Sequence, residues 1–134
     1  MEKSIKIISS VNRFCEIESF LNSLFNQYNL TRKLYCKIYI SVSEAVNNAI
    51  LHGNKNDTKK FVSVRFFEID DSLVFHVEDE GTGFNFNNLP DPTLTDNIRN
   101  ESGRGIFFMK KYADTVLFKN NGSCVQLKFY KDSD

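Results

Sequence analysis

The sequence predicts an α+β fold: a two-layer α/β sandwich in which a mixed, mostly antiparallel sheet has helices on one face. Two segments in the first half have apolar residues in steps of three and four, which is typical of amphipathic helices. Predicted strands come in adjacent pairs with helices between the pairs, which favours antiparallel hairpins. The length of 134 residues suits one domain with a real core. We therefore expect a single domain over residues 1–134 with the element order β-α-α-β-β-loop-α-β-β.

The first half of the chain is predicted to form one strand and two helices. The strand is SIKII, at residues 4–8. The apolar residues of the first helix are Phe14, Ile17, Leu21, Leu24 and Tyr28. Thr31 is predicted to be the N-cap of the second helix, and Gly53 and Asn54 are predicted to close it.

The second half is predicted to form two hairpins, separated by a polar segment and a short helix. The regular elements are strands at 61–69 and 72–79, a helix at 105–112, and strands in TVLFK and SCVQLKFY. Asp70-Asp71 joins the first hairpin, and Asn120-Asn121-Gly122 is a strong turn signal for the second. The polar segment 84–102 holds both prolines of the chain. A long segment without regular structure in a small domain is usually functional or disordered.

Composition narrows the class of protein. The 17 basic and 17 acidic residues balance, which argues against non-specific electrostatic binding to nucleic acid or to an anionic membrane. The sequence contains no apolar run long enough to span a membrane, and the charged start is unlike a secretory signal. Cys15, Cys36 and Cys124 are odd in number and far apart, so neither a zinc site nor a disulfide framework is predicted. We expect reduced thiols and a cytoplasmic protein.

The segment SEAVNNAILHG (43–53) of the second helix contains two adjacent asparagines, although Asn competes for backbone hydrogen bonds and is a poor helix former. Glu44 and Asn48 are one turn apart and should be neighbours, roughly opposite the apolar stripe. A solvated helix face and a functional pair are both open at this point. In the functional interpretation, the carboxylate takes a proton or orients a nucleophile. The amide oxygen would suit a hard cation such as Mg²⁺.

A second motif, DEGTGF, ends a predicted strand. Asp79 shares the apolar face of that strand with Leu73, Phe75 and Val77, where an unpartnered charge is costly. A buried carboxylate could accept a hydrogen bond from an exocyclic amine such as that of adenine. The alternative is an ordinary strand-end turn in which backbone amides satisfy Asp79. Gly81 and Gly83 would allow close approach to a ligand.

A third motif, SGRGIFFMKK, places Gly103 and Gly105 on either side of Arg104 at the predicted start of a helix. Free N–H groups and the positive end of the dipole make a helix N-terminus suitable for phosphate. A flexible loop that enters an ordinary helix is the alternative. The sequence has no GxxxxGK[ST] motif, so a P-loop is not predicted.

The combination of EAVNNAILHG, DEGTGF, LPDPT and SGRGIFFMKKYADTV resembles the bacterial anti-sigma factor serine/threonine kinases. These belong to the ATPase superfamily of histidine kinases, gyrase B, Hsp90 and MutL. The resemblance covers nearly the whole chain. It implies a Bergerat-type fold that binds ATP with Mg²⁺ between the sheet, the helices and a mobile lid.

The resemblance also implies roles for individual residues. Glu44 matches the glutamate that orients or deprotonates the acceptor hydroxyl, and Asn48 matches the asparagine that binds Mg²⁺. Asn47 takes a lesser role in the pocket. Asp79 matches the aspartate that binds adenine. The remaining correspondences are Gly81 and Gly83 beside adenine, residues 84–102 as the ATP lid, and Gly103 and Gly105 beside the phosphates.

Several points stay open at the level of sequence. Arg104 could contact either phosphate or a partner. The implied activity is phosphorylation of an anti-anti-sigma partner with a STAS domain, which controls a sigma factor by partner switching. The alternatives are a nucleotide-dependent binding module with little kinase activity and an orphan histidine-kinase-like ATPase domain. The sequence does not decide whether the chain forms a homodimer.

Overall fold

The computed structural model describes residues 2–81 and 101–131 and contains a five-stranded sheet with the strand order β1-β2-β3-β5-β4. All four strand pairings between described residues are antiparallel, so the described part of the sheet is not mixed. The strands are β1 (Glu2–Ile8), β2 (Phe61–Ile69), β3 (Ser72–Glu78), β4 (Thr115–Lys119) and β5 (Cys124–Tyr130). The α-helices are α1 (Phe14–Gln27), α2 (Arg32–Asn48) and α3 (Glu101–Tyr112).

The core lies between one face of this sheet and the helices. Leu73, Phe75 and Val77 of β3 are fully buried, as their alternation along the strand predicts. The register places Phe75 between Phe66 of β2 and Leu127 of β5, so the same face continues across the three central strands. Asp79 follows β3 at the end of this buried row, where the sheet approaches α2.

Helix α2 begins where its cap predicts. The Thr31 hydroxyl oxygen accepts a hydrogen bond from the backbone N–H of Leu34 at 3.2 Å, which satisfies one of the free donors of the first turn. The apolar side of the helix, which includes Ile38 and Val42, is buried against the core. The end of the helix differs from a simple glycine stop, because a π-helical turn, Ala49–Gly53, follows directly on Asn48. Its defining hydrogen bond runs from the Asn54 N–H to the Ala49 carbonyl at 2.8 Å.

Helix α3 corrects one sequence-based boundary. It begins at Glu101 rather than at Gly105, so Gly103 and Gly105 lie inside the helix instead of opening it, and 101–102 do not belong to a loop. Helical propensity alone disfavours two glycines there, but packing against α2 outweighs that cost. The rest of the predicted lid, 84–100, lies outside the described residues. None of the helices in the described part of the chain is both long and apolar enough to cross a membrane.

Candidate functional site

Glu44 and Asn48 of α2 face α3 at the position of Gly105. Both side chains are half-buried at the flank of the apolar stripe, which corrects the expectation that they project opposite to it. A β-carbon added at Gly105 would lie 3.0 Å from Glu44 Oε2 and 3.3 Å from Asn48 Nδ2. The absence of a side chain at Gly105 therefore lets α3 approach the two polar groups closely without displacing them.

Asp79 is held at the end of β3 by backbone contacts on both sides. Its N–H donates to the Ser123 carbonyl at 2.9 Å, and its Oδ1 accepts from the Gly81 N–H at 2.8 Å. The carboxylate also presses against Gly53 of the π-helical turn, where an added β-carbon would lie 2.2 Å from Oδ2. A β-carbon at Gly81 would in turn lie 1.9 Å from the Gly53 carbonyl oxygen. The two glycines thus let the turn after α2 and the end of β3 touch.

Asn54 ties these two segments to β2. Its Nδ2 donates to the Phe61 carbonyl at 2.9 Å, and its Oδ1 accepts from the Glu80 N–H at 2.8 Å. The Glu80 carboxylate also accepts a hydrogen bond from the Phe61 N–H. Asn54 is 1% exposed, so these hydrogen bonds are shielded from water. The turn that contains Asp79 is therefore fixed relative to the end of the π-helical turn.

Two adjoining cavities share Asn48. The first is a narrow cleft that reaches from Asn48 to Asp79 over Val77 and Met109. The second is a wider, open cavity. Its lining residues are Val11, Glu44, Asn47, Asn48, Leu51, His52 and Arg104. The first cavity ends on a half-buried carboxylate and the second is mainly polar, so together they suit a ligand with an aromatic amine at one end and charged groups at the other.

The side-chain amide of Asn48 tests whether these residues fit a ligand. Its Nδ2 is buried and has no hydrogen-bond partner among the residues that the structure describes, which is costly unless something else satisfies it. Rotation of the amide by about 180° exchanges nitrogen and oxygen. The group can therefore offer either a donor to a phosphate or an oxygen to a hard cation. Both options fit the Mg²⁺ and phosphate that the sequence motifs suggest.

Burial raises the pKa of the Asp79 carboxyl above its ordinary value, while the Gly81 N–H and the charge of Lys60 lower it. The rise means that the ionised carboxylate is poorly solvated in the protein. A ligand that donates a hydrogen bond to Asp79 would relieve part of this cost. No hydrogen bond to Oδ2 is found among residues 2–81 and 101–131, so this oxygen can accept one.

The structure thus brings together most of the residues that the sequence selected. Glu44, Asn47, Asn48 and Arg104 line the second cavity, and Asp79 lines the first. Of the four glycines predicted for the site, Gly105 lies against Glu44, Gly81 lies against Gly53, and Gly103 lies in the first turn of α3. Gly83 lies outside the described residues.

Sequence reasoning missed two positions, Gly53 and Asn54, because it treated them only as a helix stop. These residues contact Asp79 and Glu80, which are distant in sequence: Asn54 and Glu80 are 26 residues apart. The sole signal in the sequence is the pairing of a helix-ending glycine with a second glycine after a strand-end aspartate.

Comparison with known families identifies the class of protein. The family model described as "Histidine kinase-like ATPase domain" matches residues 9–129. Among solved structures, the RsbU and RsbW domains of a Mycobacterium tuberculosis protein share this fold. That similarity has a TM-score of 0.68 and 16% sequence identity, and it covers 97% of this chain and 32% of the other.

Curated relatives narrow the class. The serine-protein kinase RsbW of Bacillus subtilis (strain 168) is 35% identical over 88 residues, which are 61% of this chain and 55% of that protein. The anti-sigma F factor of Clostridium perfringens (strain SM101 / Type A) is 34% identical over 96 residues, which are 68% and 69% of the respective chains. The match thus spans little more than half of the RsbW kinase. The chain belongs to the histidine kinase-like ATPase domain family, in the group of the anti-sigma factor kinases.

Proposed function

We propose that this chain binds ATP with Mg²⁺ and transfers phosphate to a serine of an anti-anti-sigma partner with a STAS domain. Phosphorylation would control a sigma factor in the cytoplasm by partner switching. Two relatives, a serine-protein kinase and an anti-sigma F factor, support this assignment. The observation that carries the proposal is the meeting of Glu44, Asn48 and Gly105 where a cavity that ends on Asp79 joins a second, polar cavity.

In this proposal the adenine amine donates a hydrogen bond to Asp79 in the first cavity. A site built to pair with a polar group can reject an analogue that lacks it by about 10⁴–10⁵-fold. Guanine has a carbonyl where adenine has the amine, and its oxygen would face the carboxylate. We therefore expect a strong preference for ATP over GTP.

The phosphates would lie in the second cavity, beside Asn48 and the α2–α3 contact at Gly105. Asn48 would hold Mg²⁺ through its amide oxygen, and Asn47 would line the same cavity. Bound Mg²⁺ would neutralise charge on the phosphate oxygens. Arg104 lies on the same rim. It is placed to contact either a phosphate or the partner protein.

Glu44 would act as the general base. Its carboxylate lines the polar cavity, so a serine hydroxyl that enters this cavity could donate its proton to Glu44 as its oxygen attacks the terminal phosphate. Catalysis of phosphoryl transfer is mainly positioning and charge stabilisation, so the close contact with α3 serves to hold the base and Asn48 in fixed relative positions.

The decisive experiment separates binding from transfer. Glu44→Gln keeps the shape of the side chain but removes the base, so ATP affinity should stay near normal while transfer falls by about 10²–10⁴-fold. Transfer is measured with γ-labelled ATP and the purified STAS-domain protein from the same cell. Glu16→Gln in the first turn of α1 is the matched control, since its side chain is 42% exposed and pairs with Arg13, and it should behave as wild type.

Each outcome is informative. Wild-type transfer by Glu44→Gln would contradict the assignment of the base. Normal ATP binding without any transfer by the wild-type protein would leave a nucleotide-dependent binding module. Equal affinities for ATP and GTP would contradict the role of Asp79.

A further inference from the structure

A cluster of three metal-ligating side chains lies on the face of the sheet opposite to the core. His76 and Glu78 are two residues apart on β3, so they point to the same side. Cys124 of β5 is directly opposite Glu78 in the register. One ligand atom from each of the three residues lies within 4.8 Å of the others. The register of two antiparallel strands therefore brings together an imidazole, a carboxylate and a thiol.

We propose that His76, Glu78 and Cys124 form a binding site for a divalent metal of the zinc type. Nitrogen, sulfur and carboxylate oxygen are the ligands of Zn²⁺, and three protein ligands leave a fourth position open to solvent. Tetrahedral bond lengths require ligand atoms about 3.5 Å apart. The cluster therefore has to contract by about 1 Å, which is within reach of side-chain rotation.

The hydrogen bonds of His76 select a tautomer that suits a metal ligand. Arg65 Nη2 lies 3.0 Å from His76 Nδ1. A guanidinium can only donate, so Nδ1 accepts and is unprotonated. The proton is then on Nε2, which donates to Gln126 Oε1 at 2.9 Å. Gln126 thus orients the imidazole as a typical outer-shell partner does, and the Nδ1 lone pair points to where a cation already lies.

That cation is the guanidinium of Arg65, which also lies 3.0 Å from Glu78 Oε1. The Nε of Arg65 is buried and has no hydrogen-bond partner within the described ranges 2–81 and 101–131, so the guanidinium is incompletely satisfied there. Arg65 also has an alternative acceptor, since Nη1 lies 4.0 Å from Glu2 Oε1. We infer that the metal takes the place of the guanidinium between His76 and Glu78, and that Arg65 turns to Glu2.

The proposed site goes against an expectation from the sequence. No zinc site was predicted there, because the three cysteines are odd in number and far apart. Pairing of β3 with β5 supplies the ligands that spacing along the chain does not.

The test is titration of the full chain with Zn²⁺ in a buffer with a thiol-free reductant, with Co²⁺ as the spectroscopic probe. We expect one metal per chain and a thiolate-to-Co²⁺ charge-transfer band. Cys124→Ser and His76→Gln should each weaken binding by at least about 100-fold, as loss of a direct ligand exceeds the 10–100-fold effect of an outer-shell partner. Cys36→Ser, at an exposed cysteine of α2, is the matched control and should leave the affinity and the band unchanged.

Arg65→Gln distinguishes a metal site from a purely structural cluster. Removal of the competing guanidinium should tighten metal binding, by about 10-fold or more, whereas a structural role for Arg65 predicts no gain. His76 and Arg65 are half-buried, so these variants keep the test valid if Cys124→Ser fails to fold. Absence of metal uptake, loss of binding in Cys36→Ser, or weaker binding in Arg65→Gln would each overturn the proposal. Unchanged Zn²⁺ binding in Glu44→Gln would separate this site from the proposed ATP site.

Discussion

Gly105 matters for the proposed site because it has no side chain. In most helices Ala is more stable than Gly, by about 0.5–1 kcal/mol. At Gly105, however, a β-carbon would lie only 3.0 Å from Glu44 Oε2 and 3.4 Å from Asn48 Oδ1. Helix propensity therefore favours an alanine at position 105, whereas the close contact with Glu44 and Asn48 favours the glycine.

We expect Gly105→Ala to keep or slightly raise the free energy of unfolding while weakening Mg-ATP binding by about 10-fold, equivalent to about 1.4 kcal/mol. The reason is that Glu44 and Asn48 have to shift by a few tenths of an ångström. Urea unfolding and calorimetry with ATP measure the two quantities. Lys110→Ala, at an exposed position on α3, is the control for the helix. Loss of stability together with normal ATP affinity would contradict this account.

Asp79 provides a prediction about pH. Its raised pKa means that the native protein binds this proton more tightly than the unfolded chain does, so the contribution of Asp79 to stability falls as the pH rises through the folded-state pKa. Asn is neutral at every pH and can still accept from the Gly81 N–H. In the absence of nucleotide, Asp79→Asn should therefore be more stable than wild type at neutral pH.

The difference in the free energy of unfolding between Asp79→Asn and wild type should shrink as the pH is lowered through the folded-state pKa of Asp79 towards the ordinary value of 3.8. Urea unfolding of both proteins over a series of pH values measures it. A difference that is constant with pH, or a less stable Asp79→Asn at neutral pH, would show that desolvation of the carboxylate is not the dominant effect.

At the scale of elements, the junction between α2 and β3 depends on Asn54. Asn54→Ala removes one donor and one acceptor and leaves the Phe61 carbonyl and the Glu80 N–H without these partners, which should cost about 1–3 kcal/mol of stability. Because Asn54 holds the turn that carries Asp79, we also expect a smaller preference for ATP over GTP. Asn22→Ala is the control, since Asn22 accepts from the Tyr35 hydroxyl on the far side of α2. If folded Asn54→Ala has the wild-type ratio of ATP to GTP affinity, Asn54 has a structural role only.

The strands were the most predictable elements because their patterns are local. Residues 61–69 and 115–119 were predicted with the boundaries that the structure has, since alternation of side chains and the adjoining turns mark both ends. The start of α3 was missed for the opposite reason. Its glycines argue against a helix locally, and the contact with α2 that explains Gly105 is not visible in the sequence.

The same distinction applies to the candidate site. Asn48 and Asp79 could be selected because an asparagine inside a helix and a carboxylate on an apolar strand face each fit poorly, and Glu44 because it lies one turn from Asn48. Gly53 and Asn54 could not, since a glycine and an asparagine after a helix are ordinary C-terminal residues. Their contacts depend on how α2 and β3 meet, which a one-dimensional pattern does not contain.

At the scale of the whole molecule, the proposed function requires that nucleotide state changes what a partner protein encounters. The family resemblance implies an ATP lid at 84–102, of which the structure assigns the last two residues to α3. A ligand shifts a conformational balance only by its differential affinity for the two states. The terminal phosphate is the part that distinguishes ATP from ADP.

We therefore predict that an ATP analogue protects segment 84–102 from hydrogen exchange more than ADP does. The affinity for the STAS-domain partner should differ between the two complexes by roughly 1–3 kcal/mol. Exchange on the nucleotide-free, ADP and ATP-analogue forms, combined with partner titrations, measures both effects. Identical protection in all three forms and a single partner affinity would leave an ATP-binding domain without a switch.

The contact of Gly53 with Asp79 and Gly81 has a consequence for how this protein can evolve. A side chain at position 53 collides with the carboxylate, and one at position 81 collides with the Gly53 backbone. The Gly53 backbone cannot move aside for a side chain at position 81, and the short Asp79 side chain is held by the Gly81 N–H, so neither glycine is free to mutate alone. We expect saturation mutagenesis to find both positions intolerant in an otherwise wild-type background. Position 53 should accept a small residue only in lineages where residue 79 has already shortened and the preference for adenine has been lost.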